Sequence, residues 1–515
     1  MQQLPSEFQR LSVDRHRPGV LARNVVYTLA ATVAPALVAV VSIPVLAARL
    51  GTERLGVLTI AWAVIGYFSL LDLGIGRALT NRVAAESGTG AHGNLPVVVT
   101  TAGAMLLALG ALGGTAAALL ASWLTRSVLQ VPSALQAEVQ SSVYLLALAV
   151  PVLTVSAGAR GLLEARQRFD LVNMVRIPLG VMTYAGPLVM MPFTHSVLGC
   201  VGALVAVRFA AGLALVGMCV SQVPALLRAS HFSKELFRGL ARTGAWMTLA
   251  NFAGSLIMVL DRLIVGGVVG VGTLAYYSTP QEIVTKLSAI PGGINAVMFP
   301  AFSAHFGADP SRLTATFSRS VHWTAGLLFP VCAATAVFGP EFLALWLGGR
   351  FAAEGAGVTR WLCAGVLLNG LALTPFGLLQ ASGRARAVAL VQCLELPIYV
   401  VVLWWMTGRY GVQGAAAAWA GRVAVDAVIL FALAKSSLVP TPRVWALLAT
   451  IAALASVAAA AIAAQDSVMA RSSWLVLLLL AFAGAWWRLA DPRDRAWLKE
   501  RSSSLHLSRP TGPTD

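Results

Sequence analysis

Charged side chains inside apolar stretches are the residues of this sequence whose chemistry stands out. Between residues 251 and 300, two long apolar segments carry Asp261 beside Arg262, and then Glu282 and Lys286 four residues apart. A charge near the centre of a lipid-facing helix costs about 2.5–3.5 kcal/mol, so these side chains must face partners or a water-filled interior. This requirement indicates transport rather than catalysis.

A single arginine in the segment before this stretch has a different setting. Arg208 lies about 17 Å into its apolar segment, at about 1.5 Å of rise per helical residue, and that segment offers it no carboxylate. Such an arginine must find a partner on another helix, water in a cavity or an anionic ligand. Its planar guanidinium suits phosphate, so we predict Arg208 as the leading substrate contact. Two other cations have a carboxylate one helical turn away and can be neutralised by it, which leaves a purely structural role open for them. These pairs are Glu282 with Lys286 and Arg422 with Asp426.

The candidate site residues form two groups by charge. The cationic candidates for binding an anionic substrate are Arg208, Arg262, Lys286 and Arg422. The carboxylates are candidates for gating, or for binding and releasing a coupling proton or sodium ion, and they are Asp72, Asp261, Glu282, Glu395 and Asp426. For Asp261 with Arg262, a pair that ends a helix at the membrane interface is as good an interpretation as a gate.

Signatures of enzyme chemistry do not occur in the chain. It contains no GxxxxGK[ST] loop, no HExxH and no GxSxG. Its five cysteines lie in apolar segments without a CxxC pair or a His/Cys cluster, as core residues do. We therefore expect no catalytic residues, no metal and no cofactor.

The elements that must position these charges are membrane helices. Of the 515 residues, 58% are hydrophobic and 11% charged, and apolar runs repeatedly reach the ~20 residues that span a bilayer. A soluble all-α protein is disfavoured, because apolar runs in its core helices usually stop at about 10–14 residues. We predict an all-α integral membrane protein with about fourteen transmembrane helices, arranged as two six-helix lobes around a central cavity plus a C-terminal helix pair.

The predicted domains follow from the apolar segments and their short connections. They are an N-terminal arm (1–24), an N-lobe of helices one to six (25–221), a C-lobe of helices seven to twelve (243–434), helices thirteen and fourteen (444–490) and a tail (491–515). A weak internal repeat supports two lobes, since glycine-containing turns follow helix one (46–58) and helix seven (264–277). Prolines inside many of the helices fit either static packing or bending that opens and closes a cavity.

The orientation follows from the basic residues. Of the 37 Lys and Arg residues, 26 fall with both termini on one side and seven on the other. Cytoplasmic loops carry this excess in membrane proteins, so both ends are expected to be cytoplasmic. The same placement explains the net charge of +16 without a nucleic-acid partner.

Two blocks of sequence resemble one transporter family. IPVLAARLGTERLGVLTIAWAVIGYFSLLDLGIGRALTNRVA (43–84) is similar to the first two helices of bacterial polysaccharide (O-antigen type) flippases. LDRLIVGGVVGVGTLAYYSTPQEIVTKLSAIPGGINAVMFPAFS (260–303) is similar to their helices seven and eight. The chain is thus identified as a member of this family, within the multidrug/oligosaccharidyl-lipid/polysaccharide exporter superfamily.

The resemblance implies a substrate and a mechanism. Such proteins move undecaprenyl-diphosphate-linked oligosaccharides to the periplasmic leaflet for surface polysaccharide synthesis, by alternating access between two lobes and without ATP. Membrane lipids, a polysaccharide polymerase and a chain-length regulator are the partners implied. A lipid II flippase and a cation-coupled multidrug antiporter of the same superfamily stay open as alternatives. A membrane-embedded polymerase or ligase is disfavoured, since no outer loop exceeds about twenty residues.

Overall fold

All the secondary structure described is helical. The computed structural model describes residues 18–68, 79, 95–129, 131–166, 168–194, 196–227, 233–234, 236–238, 260–435, 442–464, 467–492 and 495. Within these ranges nine helices are long and apolar enough to cross a membrane. The prediction of an all-α membrane protein is thereby confirmed, while the count of fourteen helices stays a prediction. Asp72 lies outside the described residues.

Thirteen α-helices are described, and we number them in chain order. They are α1 (Pro18–Phe68), α2 (Leu95–Trp123), α3 (Ser133–Ala165), α4 (Phe169–Met190), α5 (Val197–Gln222), α6 (260–269), α7 (Val271–Val284), α8 (Ala289–His305), α9 (Pro310–Leu347), α10 (Gly349–Ala381), α11 (Ala385–Lys435), α12 (Pro442–Ala464) and α13 (Val468–Leu489). A π-helical turn (Leu124–Val128) extends α2, and a 3-10 turn (Thr285–Ser288) joins α7 to α8.

Single glycines separate helices that would otherwise be continuous. Gly51 divides α1 and has φ 75° and ψ 170°, and Gly270 separates α6 from α7 with φ 85° and ψ 152°. This region of backbone space is essentially restricted to glycine, so both turns need that residue. Gly348 and Gly411 also have positive φ, at 93° and 60°. The two turns that suggested an internal repeat, after the first and seventh predicted helices, therefore share one backbone conformation.

The chain divides into two compact units, of which the first is Met1–Lys286 with Gln392–Ala415. In it α1 packs against α4 and α7, and α3 packs against α2 and α5. Small residues let the α2 and α3 backbones approach, as is common in membrane bundles. A Cβ added to Gly114 would lie 2.5 Å from the Ala147 carbonyl oxygen, and one on Gly110 would lie 2.5 Å from the Pro151 Cα.

Polar contacts fasten the helix ends of this first unit. Glu138 of α3 accepts hydrogen bonds from Arg54, from the Ser196 hydroxyl (2.8 Å) and from the Val197 amide at the start of α5. At the other end of α3, Arg168 bonds both carboxylate oxygens of Asp170, at 3.0 and 2.9 Å. This hydrogen bonding holds the pKa of the Asp170 carboxyl below its usual range.

The second unit is Leu287–Val391 with Ala416–Asp515. Here α9 and α10 form a long hairpin about Gly348, α8 packs against both, and α12 and α13 pack against α9. The Trp486 indole of α13 donates to the His322 carbonyl at 2.9 Å, and a Cβ on Gly326 would lie 2.5 Å from its Nε1. The C-terminal helix is thus fitted closely onto α9.

Candidate functional site

The most densely bonded charges lie where α6 and α7 meet in the first unit. Arg262 is 6% exposed, and all three of its guanidinium nitrogens donate hydrogen bonds. Nε donates to Gln281 at 3.0 Å, Nη1 to the Thr59 carbonyl at 2.6 Å, and Nη2 to Glu282 at 3.0 Å. Because its nitrogens are used inside the protein, Arg262 is a structural cation in this conformation.

Asp261 is fully buried beside Arg262, and two side chains of α7 donate hydrogen bonds to it. Its Oδ2 accepts from the Tyr277 hydroxyl at 3.0 Å and from the Gln281 amide at 2.7 Å, while Oδ1 accepts from the Arg262 backbone amide. Tyr277 and Gln281 are one turn apart on α7, so they reach the same carboxylate. These bonds hold Asp261 inside the protein in this conformation; whether its pair with Arg262 ends a helix at the interface or forms a gate stays a prediction.

The second half of α1 closes this arrangement from a third direction. A Cβ added to Gly56 would lie 1.8 Å from the Val271 carbonyl oxygen, so only glycine allows α1 to touch the start of α7. One turn further, the Ser278 hydroxyl donates to the Thr59 hydroxyl at 2.8 Å. This close approach places the Thr59 carbonyl within hydrogen-bonding distance of Arg262.

Glu282 links the buried charges to a partly exposed edge. Its Oε2 takes the Arg262 bond, and its Oε1 accepts both from Lys286 at 3.1 Å and from the Tyr184 hydroxyl of α4. The side chain of Glu282 is 13% exposed and that of Lys286 37%. The i,i+4 pairing that the sequence allowed is therefore present, and it is one part of a larger set of bonds.

We call this set the buried charge network; it comprises Tyr184, Asp261, Arg262, Tyr277, Gln281, Glu282 and Lys286. Its two carboxylates and two cations balance in formal charge. An aromatic pair flanks it, since the Trp62 and Tyr184 rings have centroids 5.2 Å apart and Trp62 donates to the Thr183 carbonyl at 3.1 Å. Lys286 stands over the Tyr184 ring, 5.8 Å from its centroid.

Arg208 on α5 approaches the same edge without joining the network. Its Nη2 donates to the Thr183 hydroxyl at 3.3 Å, on the residue beside Tyr184. Among the described residues no carboxylate pairs with Arg208, which is partly buried near the middle of its helix. Arg208 is thus a cation beyond the balanced set in the described residues, and its predicted contact with substrate stays a prediction.

The remaining candidates lie elsewhere. Glu395, 8% exposed, is on α11 within the first unit. Arg422 and Asp426 belong to the second unit, where Asp426 is 7% exposed and lies within reach of the Arg422 charge one turn away. In the described ranges no three His, Cys, Asp or Glu side chains are grouped to hold a metal ion.

Sequence reasoning named the charges of the network but missed its neutral members. Tyr277 and Gln281 had a local signal, because they place polar groups on an apolar helix at the same spacing as the charges. Tyr184, Thr59 and Trp62 had none, since their role depends on how α1 and α4 pack against α7. What the arrangement can do chemically is clear from its charges: it offers one surplus arginine beside a neutral, hydrogen-bonded group that contains a half-exposed lysine.

Solved structures share this fold across most of their length. The lipid II flippase MurJ, in an inward closed conformation, is similar with a TM-score of 0.70 and 11% identity, covering 91% of this chain and 99% of that one. An inward-facing multidrug resistance MATE transporter of the MOP superfamily is similar with a TM-score of 0.66 and 15% identity, covering 80% and 94%. At these identities the likeness shows the fold alone.

Sequence comparisons agree with the resemblance in the two motif blocks. A protein of Shigella flexneri named "Putative O-antigen transporter" is 27% identical over 414 residues, which are 80% of this chain and 96% of that protein. The family model described as "Polysaccharide biosynthesis protein" matches residues 45–354 and so includes the whole buried charge network. The chain is therefore a multi-pass membrane protein that belongs to the polysaccharide biosynthesis protein family.

Proposed function

We propose that this protein is a flippase that moves an undecaprenyl-diphosphate-linked oligosaccharide from the cytoplasmic to the periplasmic leaflet for surface polysaccharide synthesis. The family, the O-antigen transporter relative and the MurJ-like fold support this class of substrate. Transport proceeds by alternating access between the N-lobe (25–221) and the C-lobe (243–434), coupled to an ion gradient. Both termini are cytoplasmic, in the inner membrane.

Arg208 is the observation that carries the proposal. A partly buried arginine within a membrane helix is stable only if an anion or water compensates its charge, and no described carboxylate pairs with Arg208. A diphosphate supplies that compensation through paired N–H···O bonds, which a guanidinium forms in fixed geometry. Lys286 adds a second cation at the same edge when the diphosphate competes with Glu282 for it. Arg262 supports the site by holding Glu282.

The carboxylates outside the network are our candidates for ion coupling. Glu395 and Asp426 are buried. Burial makes the charged form of a carboxylate unfavourable, and binding a proton or sodium ion removes that penalty. Asp72 is retained as a candidate on sequence alone. Arg422, one turn from Asp426, is the cation that such coupling would involve in the second unit.

A drug antiporter is the second candidate, favoured by the MATE-like fold. Its substrates are usually cationic, and a surplus buried arginine repels a cation. A reconstituted assay separates the two functions. Proteoliposomes are given either a fluorescent lipid-linked glycan or a cationic dye, and each is followed with and without a sodium or proton gradient. Movement of the dye alone would exclude the flippase function.

The proposal predicts how substitutions of Arg208 affect polymer synthesis. Arg208→Ala should abolish surface polysaccharide, because the diphosphate loses its main partner, whereas Arg208→Lys should retain part of the activity through its charge. Surface polymer is measured in cells in which the variant replaces the native copy, with membrane insertion checked by immunoblot. Arg126→Ala, at an exposed arginine of the same unit, is the matched control and should behave like the native protein. Normal polymer from Arg208→Ala would remove Arg208 from the substrate path.

A further inference from the structure

A second cluster of charges lies in the other unit, where α9, α10 and α13 come together. Arg471 near the start of α13 binds Glu341 of α9, with Nη2 and Oε1 2.8 Å apart. The side chains of Arg471 and Glu341 are 14% and 33% exposed. Neither residue contributes to the site described above, and Glu341 is the only carboxylate paired with Arg471 among the described residues.

Arg360 of α10 completes this cluster. A Cβ on Gly339 would lie 3.0 Å from the Thr359 Cγ2, so α9 and α10 are in contact one or two residues from Glu341 and Arg360. Arg360 is near enough for the charges of both Arg471 and Glu341 to act on it. One carboxylate, bonded to Arg471, thus lies near two guanidinium groups, which leaves one positive charge in excess.

The hydrogen bonding of the cluster is incomplete. The Nε atoms of Arg360 and Arg471 are buried without an acceptor among the described residues. The guanidinium of Arg360, a partly buried residue, makes no hydrogen bond or ion pair with any described side chain or backbone group. A guanidinium at such a site is satisfied by an anion with several oxygen acceptors.

The surroundings indicate which anion reaches the site. Trp361 follows Arg360 and is 48% exposed, and Trp474, one turn after Arg471, is 44% exposed. Tryptophan is enriched where a bilayer meets water, because one ring accommodates both environments. The cluster thus lies on helices of candidate membrane spans, flanked by aromatic side chains typical of the level of lipid headgroups.

We propose that Arg360 and Arg471 form a binding site for the phosphate of an anionic membrane lipid, with Glu341 orienting Arg471. The lipid neutralises the excess charge and joins the C-terminal helix α13 to the α9–α10 hairpin. Binding does not depend on the transport activity proposed above; the proposed orientation alone would place the site in the periplasmic leaflet.

Lipid binding to purified protein tests the site directly. Delipidated protein in neutral detergent is titrated with phosphatidylglycerol, phosphatidylcholine or inorganic phosphate, and bound lipid is counted by native mass spectrometry. Arg360→Gln is the key variant, because it removes no described hydrogen bond or ion pair and so should fold normally. Arg409→Gln, at an exposed arginine outside the cluster, is the matched control.

We expect phosphatidylglycerol to bind the native protein and Arg409→Gln equally, and Arg360→Gln about fivefold more weakly. Equal binding to Arg360→Gln would overturn the site. Phosphatidylcholine binding as tightly as phosphatidylglycerol would overturn its preference for anionic lipids, and competition by millimolar inorganic phosphate would identify a soluble anion instead. None of these results depends on glycan movement, so a failed flippase assay leaves them interpretable.

Discussion

Glu282 joins groups from three parts of the chain with two carboxylate oxygens. One oxygen binds Arg262 of α6, and the other binds Lys286 and the hydroxyl of Tyr184 on α4. Among the described residues, Glu282 is the carboxylate that bonds both Arg262 and Lys286. Its negative charge therefore keeps the buried charge network neutral. The pair of Glu282 with Lys286 that the sequence suggested is thus the partly exposed end of the buried charge network.

Neutralising Glu282 should therefore destabilise the protein. Glu282→Gln leaves Arg262 buried beside an amide, and breaking one side of a buried ion pair typically costs about 3–5 kcal/mol. We expect a clearly lower melting temperature in detergent, measured by intrinsic fluorescence. The double substitution Glu282→Gln with Arg262→Gln should recover part of the loss, because it removes the unpaired charge.

Glu164→Gln provides the control for this prediction. Glu164 pairs with Arg160 at 3.8 Å, and their side chains are 41% and 39% exposed. Exposed pairs of this kind contribute about 0–1 kcal/mol, so the melting temperature should hardly change. Similar melting temperatures for Glu282→Gln and Glu164→Gln would contradict the structural role of the network.

The sequence predicted charges more reliably than it predicted partners. A charge in an apolar run is visible because of its cost, which is why Asp261, Arg262 and Glu282 could be named in advance. Their neutral partners Tyr184 and Thr59 could not, since tyrosine and threonine are common in membrane helices. Arg262 is fully hydrogen-bonded and Arg208 is not. This difference depends on how the helices pack, which the sequence alone does not show.

At the scale of elements, the contact of α1 with α7 depends on one missing side chain. A Cβ on Gly56 would meet the backbone of Val271 rather than a side chain that can move aside. Gly56→Ala should push α1 outward, lengthen the bond from Arg262 to the Thr59 carbonyl and lower both the melting temperature and polymer synthesis. The change is measured by thermal unfolding in detergent and by surface polysaccharide in cells.

Gly103→Ala is the matched substitution in another helix. Nothing lies within 4 Å of a Cβ at Gly103, in the middle of α2. Alanine in a helix interior is favoured over glycine by about 0.5–1 kcal/mol, so stability should be unchanged or slightly higher. A Gly56→Ala protein as stable as Gly103→Ala would show that α1 and α7 tolerate separation.

Helices and their turns were largely predictable, because apolar runs of membrane length are a strong signal. The apolar stretches and the glycine-containing turns at Gly51 and Gly270 were identified from sequence. What the sequence did not predict is how short these turns are: α6 and α7 are interrupted at Gly270 alone, with α7 beginning at the next residue. Glycine permits the backbone conformation of such a short turn but does not require it. The length of the turn therefore could not be predicted from the residue type.

For the whole molecule, the count of basic residues predicts which ends of the helices face the cytoplasm. Glu53 and Glu354 follow the glycines of two proposed outer turns and are exposed, whereas Arg166 and Ser311 are exposed at proposed inner connections. With native cysteines replaced, a membrane-impermeant maleimide should label Glu53→Cys and Glu354→Cys in spheroplasts. Arg166→Cys and Ser311→Cys should react only after permeabilisation. The reverse pattern would invert the proposed topology.

The balanced charges of the buried network also bear on the electrical behaviour of transport. Moving one elementary charge through the full membrane potential involves about 2.3 kcal/mol per 100 mV. Two carboxylates and two cations that move together cancel this work, so α6 and α7 can shift during a transport cycle at almost no electrical cost. Under the proposed function, any dependence of the transport rate on voltage must then arise from charges outside the network, such as Arg208, the proposed diphosphate cargo or the proposed coupling ion.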